Sequence, residues 1–499
     1  MKEMAPRSPR SLDPRTPVLV GGGQVNQRYQ PAEPADMIVE AIRAAAADAA
    51  APHLAEVIES IRVVGMLSWR YRDPGRLAGD RLGALVRHTV YTGNGGSHPQ
   101  ALVNDAAEDV AAGRCDVVAV SGAEAWRTRM ALRRRGERPV WTVQADDVPA
   151  PETRPDVPMR DTTEMRAGLD RPAYVYPLFE QALRISAART TGEHVAAISR
   201  LWARFSEVAA ANPAAWSPVA VTAEAIAAPG PRNRLIAWPY TKLMNSNNDV
   251  DQAAAVIICS AEAAARFGVP KDRWVFPLAG AEASDTAQVA ARHRLDASPA
   301  IRHAGRLALD LAGVDLAGIG LIDLYSCFPS AVQVAARELG LPPYSPDRPL
   351  TVTGGLTFAG GPWSNYSTHA IAAMMDKVRQ TGQLGLVTAN SGYLTRHSIG
   401  VYAPAPGPGF RRGDAQPAVA AEPTTPVAAA HDGPAVLESW TVVFDRDGRP
   451  EAALAALRTP DGPRVLARSD EPEIAQRLIT EDAEGTPGTV SPDASFRLK

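Results

Sequence analysis

Side chains that could make or break a covalent bond follow the glycine-rich segments of this sequence. Ser97 and His98 come directly after Gly93-Asn94-Gly95-Gly96, so that a hydroxyl and an imidazole are adjacent. A serine beside a basic histidine can act as a nucleophile in acyl transfer. Adjacent side chains on a turn seldom face each other, however, and Ser97 also fits the N-cap of a helix predicted over residues 99–113. We expect Ser97 to cap that helix.

The other candidate site residues lie at or just after the ends of predicted strands: Glu124, Ser326, Cys327, Ser391, Gly392 and His397. A cysteine needs a base or a positive environment to become a thiolate, and Cys327 has no evident activator. A small buried thiol is therefore the alternative role for Cys327. His397 and His369 are expected to be structural, and Glu124 is the one acid expected beside the site.

Strands and helices alternate around these residues. In the first half, strands are expected near residues 18–20, 61–64, 89–92 and 116–120, with helices near 34–51, 76–86 and 99–113. The second half has apolar strands near residues 253–259, 274–278, 320–324 and 385–388. This alternation predicts mainly parallel sheets with helices on both faces. Its return in the second half indicates a duplicated α/β unit.

The segment 126–240 separates a first half, residues 16–125, from a second half, residues 241–405. We interpret it as an inserted loop domain. It opens with arginines that could bind the phosphates of a cofactor or form a solvated surface, among them Arg127, Arg133 and Arg134.

The composition changes after residue 405. Residues 406–434 are rich in Pro, Ala and Gly, which is typical of a linker. Residues 435–490 alternate as in a meander and are expected to form a small antiparallel, OB-like β-barrel, because closure removes exposed strand edges. Since a linker buries little area, we expect the core to remain folded without this domain.

Composition excludes several classes of protein. A net charge of −3 gives no basis for binding nucleic acid or a membrane surface, and no apolar run has the length of a spanning helix. The start of the chain, Met1 to Arg15, lacks the apolar centre of a secretory signal. The three cysteines are far apart and without metal-ligand spacing, which predicts a cytoplasmic protein without a metal site.

Several motifs resemble those of thiolases, in the same order along residues 16–405. They are Tyr91-Thr92-Gly93-Asn94-Gly95-Gly96-Ser97-His98-Pro99, Asp251-Gln252-Ala253-Ala254-Ala255, Tyr325-Ser326-Cys327-Phe328, Gly354-Gly355 with Gly360-Gly361-Pro362, and Ala389-Asn390-Ser391-Gly392. The closest resemblance is to the thiolase-like protein type 1 group, related to sterol-carrier-protein thiolases and acetyl-CoA acetyltransferases. It implies a duplicated thiolase αβαβα core with an inserted loop domain, followed by the C-terminal barrel.

The resemblance also identifies which catalytic groups are missing. Thiolases use a nucleophilic Cys, an Asn or His that holds a water, a His in Gly-His-Pro and a second Cys. The matching positions here are Gly95, Tyr325, Gly361 and Asn390. Glycine supplies neither a nucleophile nor a base, so we expect thiolysis and Claisen condensation to be absent. The backbone N–H groups of Gly95 and Gly392 could still form an oxyanion hole.

Three functions follow from the resemblance. The first is a CoA-thioester-binding protein that has lost thiolase activity, with no covalently bound cofactor. The second is an acyltransferase or lyase acting on CoA thioesters with other residues. The third is a scaffold subunit of a lipid-metabolism complex, which binds a partner protein through the C-terminal barrel. Thiolases pair through the sheet edge near Tyr91, so the chain is expected to be a homodimer, or a monomer if an added segment covers that edge.

Overall fold

The computed structural model describes residues 12–157, 159 and 161–499; residues 1–11 of the basic start lie outside this description. The strands are β1 Pro17–Asn26, β2 Ser60–Val63, β3 His88–Tyr91, β4 Val117–Ala125, β5 Leu235–Ala237, β6 Tyr240–Thr241, β7 Asp251–Ser260, β8 Phe276–Ser284, β9 Ile319–Asp323, β10 Leu384–Ser391, β11 Arg396–Ala403, β12 Arg411–Asp414, β13 Gly433–Phe444, β14 Pro450–Arg458, β15 Arg464–Ser469, β16 Pro487–Val490 and β17 Phe496–Leu498.

The helices connect these strands and cover the sheets. They are α1 Pro34–Asp48, α2 Pro74–Leu82, α3 His98–Ala111, α4 Trp126–Arg134, α5 Thr162–Arg166, α6 Pro172–Ser186, α7 Thr191–Ala210, α8 Ala223–Ala227, α9 Ala261–Arg266, α10 Pro299–Ala312, α11 Pro329–Leu339, α12 Gly355–Phe358, α13 Tyr366–Thr381, α14 Gln416–Ala420 and α15 Pro472–Thr480. Within the described residues, no helix is both long enough and apolar enough to cross a membrane.

Two five-stranded sheets repeat one strand arrangement. The first has the order β1-β7-β4-β2-β3 and the second the order β12-β8-β11-β10-β9. β2 runs parallel to β4, which is antiparallel to β7, itself antiparallel to β1. β9, β10, β11 and β8 repeat those three relations. Four strands of each sheet thus share one order and one set of directions, as a duplicated α/β unit produces, whereas β3 and β12 lie at opposite ends of their sheets.

The sheets are mixed, whereas the sequence pattern predicts mainly parallel ones. In the first sheet, the chain leaves β4 through the inserted segment and returns as β7 in the opposite direction. In the second sheet, β10 and β11 are joined by a short turn and therefore pair antiparallel. Strands buried on both faces read as continuous apolar runs in either direction, so the pattern does not distinguish these pairings.

The two sheets enclose a central helical layer, and further helices cover their outer faces. α3 and α13 contribute Leu102, Val103, Ile371 and Met374 to one apolar cluster together with side chains of both sheets. α1 and α2 pack on the first sheet, and α10 packs on the second. The structure is therefore mixed α/β with the layers expected from the thiolase resemblance. The N-terminal ends of α3 and α13 bring the glycine-rich loops together between the sheets.

The outer edge of the first sheet is covered by the inserted segment. The Tyr91 N–H donates to the Glu152 carbonyl at 2.8 Å, and the Glu152 N–H donates to the Thr89 carbonyl at 3.0 Å. The Gly93 N–H donates to the Arg154 carbonyl at 2.6 Å. Residues 152–154 thus use the backbone groups of β3 that a second chain would need for pairing through this edge.

The C-terminal strands form a third sheet, in the order β15-β14-β13-β16-β17. Of the inserted segment, β5 pairs with β13 and β6 pairs with β5. The expected closed barrel is not confirmed, because β15 and the chain before β17 share only an isolated bridge, Arg468 with Ser495, among the described residues. A single bridge does not provide the hydrogen-bond ladder that closes a barrel.

Part of the segment interpreted as a linker belongs to the core. Residues 411–414 form β12, which runs parallel to β8 at the edge of the second sheet. The α14 segment follows and packs on α10 and β8. The side chains of Val443, Leu454 and Leu466 join the same apolar cluster as Leu178 and Phe179 of α6. The C-terminal sheet therefore shares the main core. The sequence pattern instead predicts a separate domain that can be removed.

Candidate functional site

The loops singled out by the sequence meet between the two sheets. The side chains of Ser391 and His98 lie beside Gly95. Those of Tyr325 and Ser367 lie beside Gly96. The Asn248 Nδ2 donates to the Gly361 carbonyl at 2.7 Å, and the Gly361 N–H donates to the Asn247 carbonyl at 2.9 Å. The predicted convergence of these loops is therefore present in the fold.

A nucleophilic side chain does not fit at position 95 in this conformation. A Cβ built on Gly95 would lie 2.8 Å from Ser391 Oγ and 2.9 Å from His98 Nε2, closer than Cβ atoms are found in proteins. The Gly95 N–H also donates to Ser364 Oγ at 3.1 Å, so it is not free to form the expected oxyanion hole. The space of the missing side chain is filled by neighbouring polar groups.

Tyr325 fills the space next to it. Its hydroxyl, together with the Asn390 carbonyl oxygen at 2.6 Å, occupies the place of a Cβ on Gly96. The Tyr325 ring packs edge-on against Tyr366 at 5.4 Å and is almost fully buried. Burial raises the pKa of Tyr325, which therefore remains a neutral phenol at physiological pH.

Position 361, in contrast, could hold a Cβ atom. A Cβ on Gly361 would meet the Asn247 carbonyl oxygen and Asn248 Nδ2 at 3.3 Å and the Leu356 carbonyl oxygen at 3.4 Å. These are tight contacts without a clash. Trp363, two residues after Gly361, packs edge-on against Trp126 of α4, with ring centroids 5.3 Å apart.

A tyrosine of the inserted segment contacts the pair formed by Asn390 and Cys327. The Asn390 Nδ2 donates to the Tyr176 hydroxyl at 2.9 Å and lies 3.9 Å from Cys327 Sγ. The Tyr176 hydroxyl also lies 3.3 Å from the Gly392 carbonyl oxygen, which it reaches as a donor. Burial raises the pKa of the Cys327 thiol to about 12, so that Cys327 is not a thiolate at neutral pH. Cys327 is half-buried, and its role as a small buried thiol stays a prediction.

Ser97 does not cap α3 through its side chain, in contrast to the expected role. Its Oγ lies 2.7 Å from Ser391 Oγ, and its N–H donates to the same Ser391 oxygen at 2.7 Å. Ser391, the last residue of β10, thus accepts the hydrogen bond of the Ser97 N–H at the start of α3. His98 is fully buried, and burial, with the charges of Arg396 and Arg154, lowers its pKa to about 4.

The remaining candidates have structural contacts. Glu124 accepts the N–H groups of Leu67 and Ser68 at 2.7 and 2.8 Å, and burial raises its pKa to about 7. Ser326 Oγ accepts the Leu356 N–H at 3.3 Å. The His397 Nε2 lies 3.5 Å from Ser298 Oγ, and burial lowers its pKa to about 3.

A fully buried carboxylate holds the start of the Gly354-Gly355 loop. Asp323 accepts from the Thr351 and Thr353 hydroxyls, the Tyr366 hydroxyl and the N–H groups of Val352 and Thr353. Gly354 and Gly355 have φ values of 100° and 78°, a region that favours glycine. The Asp323 side chain thus fixes the loop that reaches Gly361.

Polar atoms without partners cluster in these loops. Within the described residues, buried side-chain atoms that lack a hydrogen bond of normal geometry include Asn94 Oδ1, both ring nitrogens of His98, Trp363 Nε1, Asn365 Oδ1 and Asn390 Oδ1. Buried polar groups are rarely left unpaired, so such a cluster indicates a place for a polar ligand or ordered water. The described residues contain no group of three or more His, Cys, Asp or Glu placed to hold a metal ion.

The arginines proposed for cofactor phosphates lie on α4, the helix whose first residue, Trp126, contacts Trp363. Arg127 stacks over Trp216 at 5.5 Å. Arg133 and Arg134 are exposed in the last turn of this helix. A second basic surface lines a cleft of about 600 Å³, between α7 and Tyr344, with Arg189, Arg200 and Arg204.

Sequence reasoning missed Tyr176 and Ser364. Tyr176 lies in α6 of the inserted segment, and only tertiary packing brings it to Asn390. Ser364 follows the Gly360-Gly361-Pro362 motif closely, and that proximity is the signal that could have suggested it.

Comparison with known proteins agrees with this geometry. Residues 414–495 match the family described as the thiolase-like protein type 1 additional C-terminal domain. The crystal structure of a monomeric SCP2-thiolase-like protein type 1 from Mycobacterium smegmatis is 31% identical, covering 98% of this chain and 100% of that one, with a TM-score of 0.84. The chain belongs to the SCP2-thiolase-like protein type 1 family.

A further sequence match to this SCP2-thiolase-like chain is partial, and a further solved structure shares its fold alone. An acetyl-CoA acetyltransferase of Methanocaldococcus jannaschii is 30% identical over 134 residues, which is 27% of this chain and 33% of that relative. The match thus spans a third of the curated relative. The structure described as Ltp2-ChsH2(DUF35) aldolase is 20% identical, covering 78% of this chain and 98% of that chain, with a TM-score of 0.60.

Proposed function

We propose that the protein binds CoA thioesters at the site between the two sheets and lacks cysteine-dependent thiolase activity. The observation that carries this proposal is the environment of Gly95, where His98 and Ser391 fill the space of a nucleophilic side chain. Unpaired polar atoms of the same loops provide hydrogen-bonding capacity for an acyl thioester. The partial match to an acetyl-CoA acetyltransferase supports a CoA ester as the ligand class.

A binding screen with a turnover control tests this proposal. An acyl-CoA should raise the melting temperature, because a ligand that binds only the folded state stabilises it. The same preparation should show no thiolysis of acetoacetyl-CoA above background, since Gly95 and Gly361 carry no reactive group. If no CoA ester changes the melting temperature, or if thiolysis is proportional to enzyme, the proposal is wrong.

The exposed arginines of α4 are proposed to meet the CoA phosphates. A helix rises about 1.5 Å per residue, which places Arg133 about 10 Å along α4 from Trp126 at the site's edge. Replacing Arg133 and Arg134 together by Ala should weaken acyl-CoA binding about tenfold, because two charge-assisted contacts to phosphate are lost. Binding should also weaken as salt rises, since exposed charges are screened.

The matched control is the pair Arg200 and Arg204 in the other basic cleft. Its double alanine variant should bind acyl-CoA like the wild type in isothermal titration calorimetry. The reverse result, with a loss only in the Arg200 and Arg204 variant, would locate the phosphates in that cleft and contradict the proposal for α4.

We also propose that the protein acts as a monomer in the cytoplasm. The backbone of β3 is paired with residues 152–154, so that its edge is not free for a second chain. The Mycobacterium smegmatis relative is described as monomeric. The three separated cysteines agree with a reducing compartment.

A scaffold role in lipid metabolism is the weaker alternative. The C-terminal sheet would have to present a free face to a partner, but several of its side chains bind this chain instead. Ser439 Oγ donates to the Leu178 carbonyl at 2.6 Å, and the Arg464 Nη1 donates to the Ala290 carbonyl at 2.9 Å. We therefore favour a structural role for this sheet.

A further inference from the structure

The Ser391 hydroxyl lies close to the place that a nucleophile on residue 95 would occupy. Its Oγ is 2.8 Å from the position of a Cβ built on Gly95. The Ser97 N–H at the start of α3 donates to this oxygen at 2.7 Å, and Ser97 Oγ lies at the same distance. The N-terminal end of a helix carries partial positive charge and stabilises an oxygen that gains negative charge.

The His98 imidazole lies beside the same position. Its Nε2 is 2.9 Å from the Cβ position of Gly95, and Ser391 Oγ is 2.8 Å from that position. Among the described residues, neither ring nitrogen has a hydrogen bond of normal geometry, although the Pro155 carbonyl favours the protonated ring. A neutral buried imidazole can accept a proton from a hydroxyl or from water at this point.

We propose that Ser391 is an acyl acceptor and that His98 is its general base. The proposal concerns the same site as the proposed function and rests on it for the identity of the acyl donor, a CoA thioester. Ser97 is a positioning residue, because its N–H and hydroxyl both hold Ser391 Oγ. The chain would thus perform acyl transfer with a hydroxyl at the end of β10 and an imidazole at the start of α3.

The chemical step is balanced without a further reactant. His98 takes the Ser391 hydroxyl proton while Oγ bonds to the thioester carbonyl carbon, the carbon–sulfur bond breaks, and the thiolate receives the proton from His98. The products are a Ser391 ester and free CoA. In the second step His98 takes a proton from water, the hydroxide adds to the ester carbon, and the carboxylic acid leaves as Ser391 regains its proton.

The charges around His98 predict the pH dependence of acylation. Burial, then Arg396 and Arg154, disfavour the imidazolium, whereas Glu282 and the Pro155 carbonyl favour it, and together they hold the pKa of His98 at about 4. His98 is therefore neutral and able to accept a proton above this pH. Acylation should be independent of His98 protonation near neutral pH and should fall as the pH falls through about 4.

The test uses 4-nitrophenyl acetate as a small acyl donor and acetyl-CoA as the thioester. After incubation of the full chain, peptide mass spectrometry should show one acetyl group on Ser391 of the wild type. Ser391→Ala should lose this label, and His98→Gln should slow labelling at least tenfold at neutral pH. Ser398→Ala is the matched control, because Ser398 is also a fully buried serine of the neighbouring strand β11, and it should label like the wild type.

Mapping on the wild type keeps the test independent of whether a variant folds. Absence of an acetyl group on Ser391 with both donors, or equal labelling after His98→Gln, would overturn the proposal. Labelling by 4-nitrophenyl acetate without any binding of CoA esters would support Ser391 and contradict the proposed function. Binding of CoA esters with an unlabelled Ser391 would support the proposed function and contradict the role of Ser391.

Discussion

A chain that ends at residue 432 is expected not to fold into a soluble core. The deletion removes Val443, Leu454 and Leu466 from the main apolar cluster. Burial of each large apolar side chain contributes about 1.5–3 kcal/mol, and a domain has only about 5–15 kcal/mol of net stability. Several such losses therefore exceed the stability that remains.

The deletion also leaves a buried charge without its partners. Arg184 of α6 is 2% exposed and pairs with Asp482 at 3.1 Å and Glu484 at 2.7 Å. Circular dichroism and size-exclusion chromatography of the truncated chain measure the outcome. Arg446→Ala in the exposed β13–β14 turn is the control and should fold normally. Cooperative thermal unfolding of a soluble truncated chain would contradict the shared core.

Replacement of Asp323 by Ala is expected to cost about 3 kcal/mol or more of unfolding free energy, because buried donors that lose a charged acceptor keep their desolvation penalty. The donors include the Thr351 and Tyr366 hydroxyls, each 2.9 Å from Asp323. Urea denaturation gives the free energy. Asp347→Ala, an exposed aspartate of the preceding loop, should change it by less than about 0.5 kcal/mol. Similar values for both variants would mean that Asp323 does not hold this loop.

The sequence predicts the parts of the fold that local pattern determines. Apolar runs near 18–20 and 253–259 fall within β1 and β7, and the run near 61–64 overlaps β2. Of the five motifs, those at 91–99, 325–328 and 389–392 lie at the ends of β3, β9 and β10, and their loops meet in the structure. Local spacing was sufficient for these three, because each lies at the end of its strand.

The parts that depend on tertiary pairing could not be predicted in this way. Whether β7 runs parallel or antiparallel to β4 depends on the path of the inserted segment, which leaves no mark on an apolar run. The contact of Ser97 with Ser391 joins residues 294 positions apart. A capping preference therefore gave the wrong role for Ser97, because it considers only the nearest turn. The Pro-rich composition of 406–434 likewise hides the short strand β12.

The most direct test of the account is the position of a bound acyl-CoA. Crystals soaked with a non-hydrolysable thioether analogue of acetyl-CoA should show its acyl end beside Gly95 and Ser391, with the Tyr325 ring displaced from Gly96 and the phosphates near Arg133 and Arg134. This is the result predicted by a thioester site whose nucleophile is a hydroxyl. A site that remains filled by Tyr325, with the analogue absent or bound only in the cleft of Arg189, Arg200 and Arg204, would contradict it.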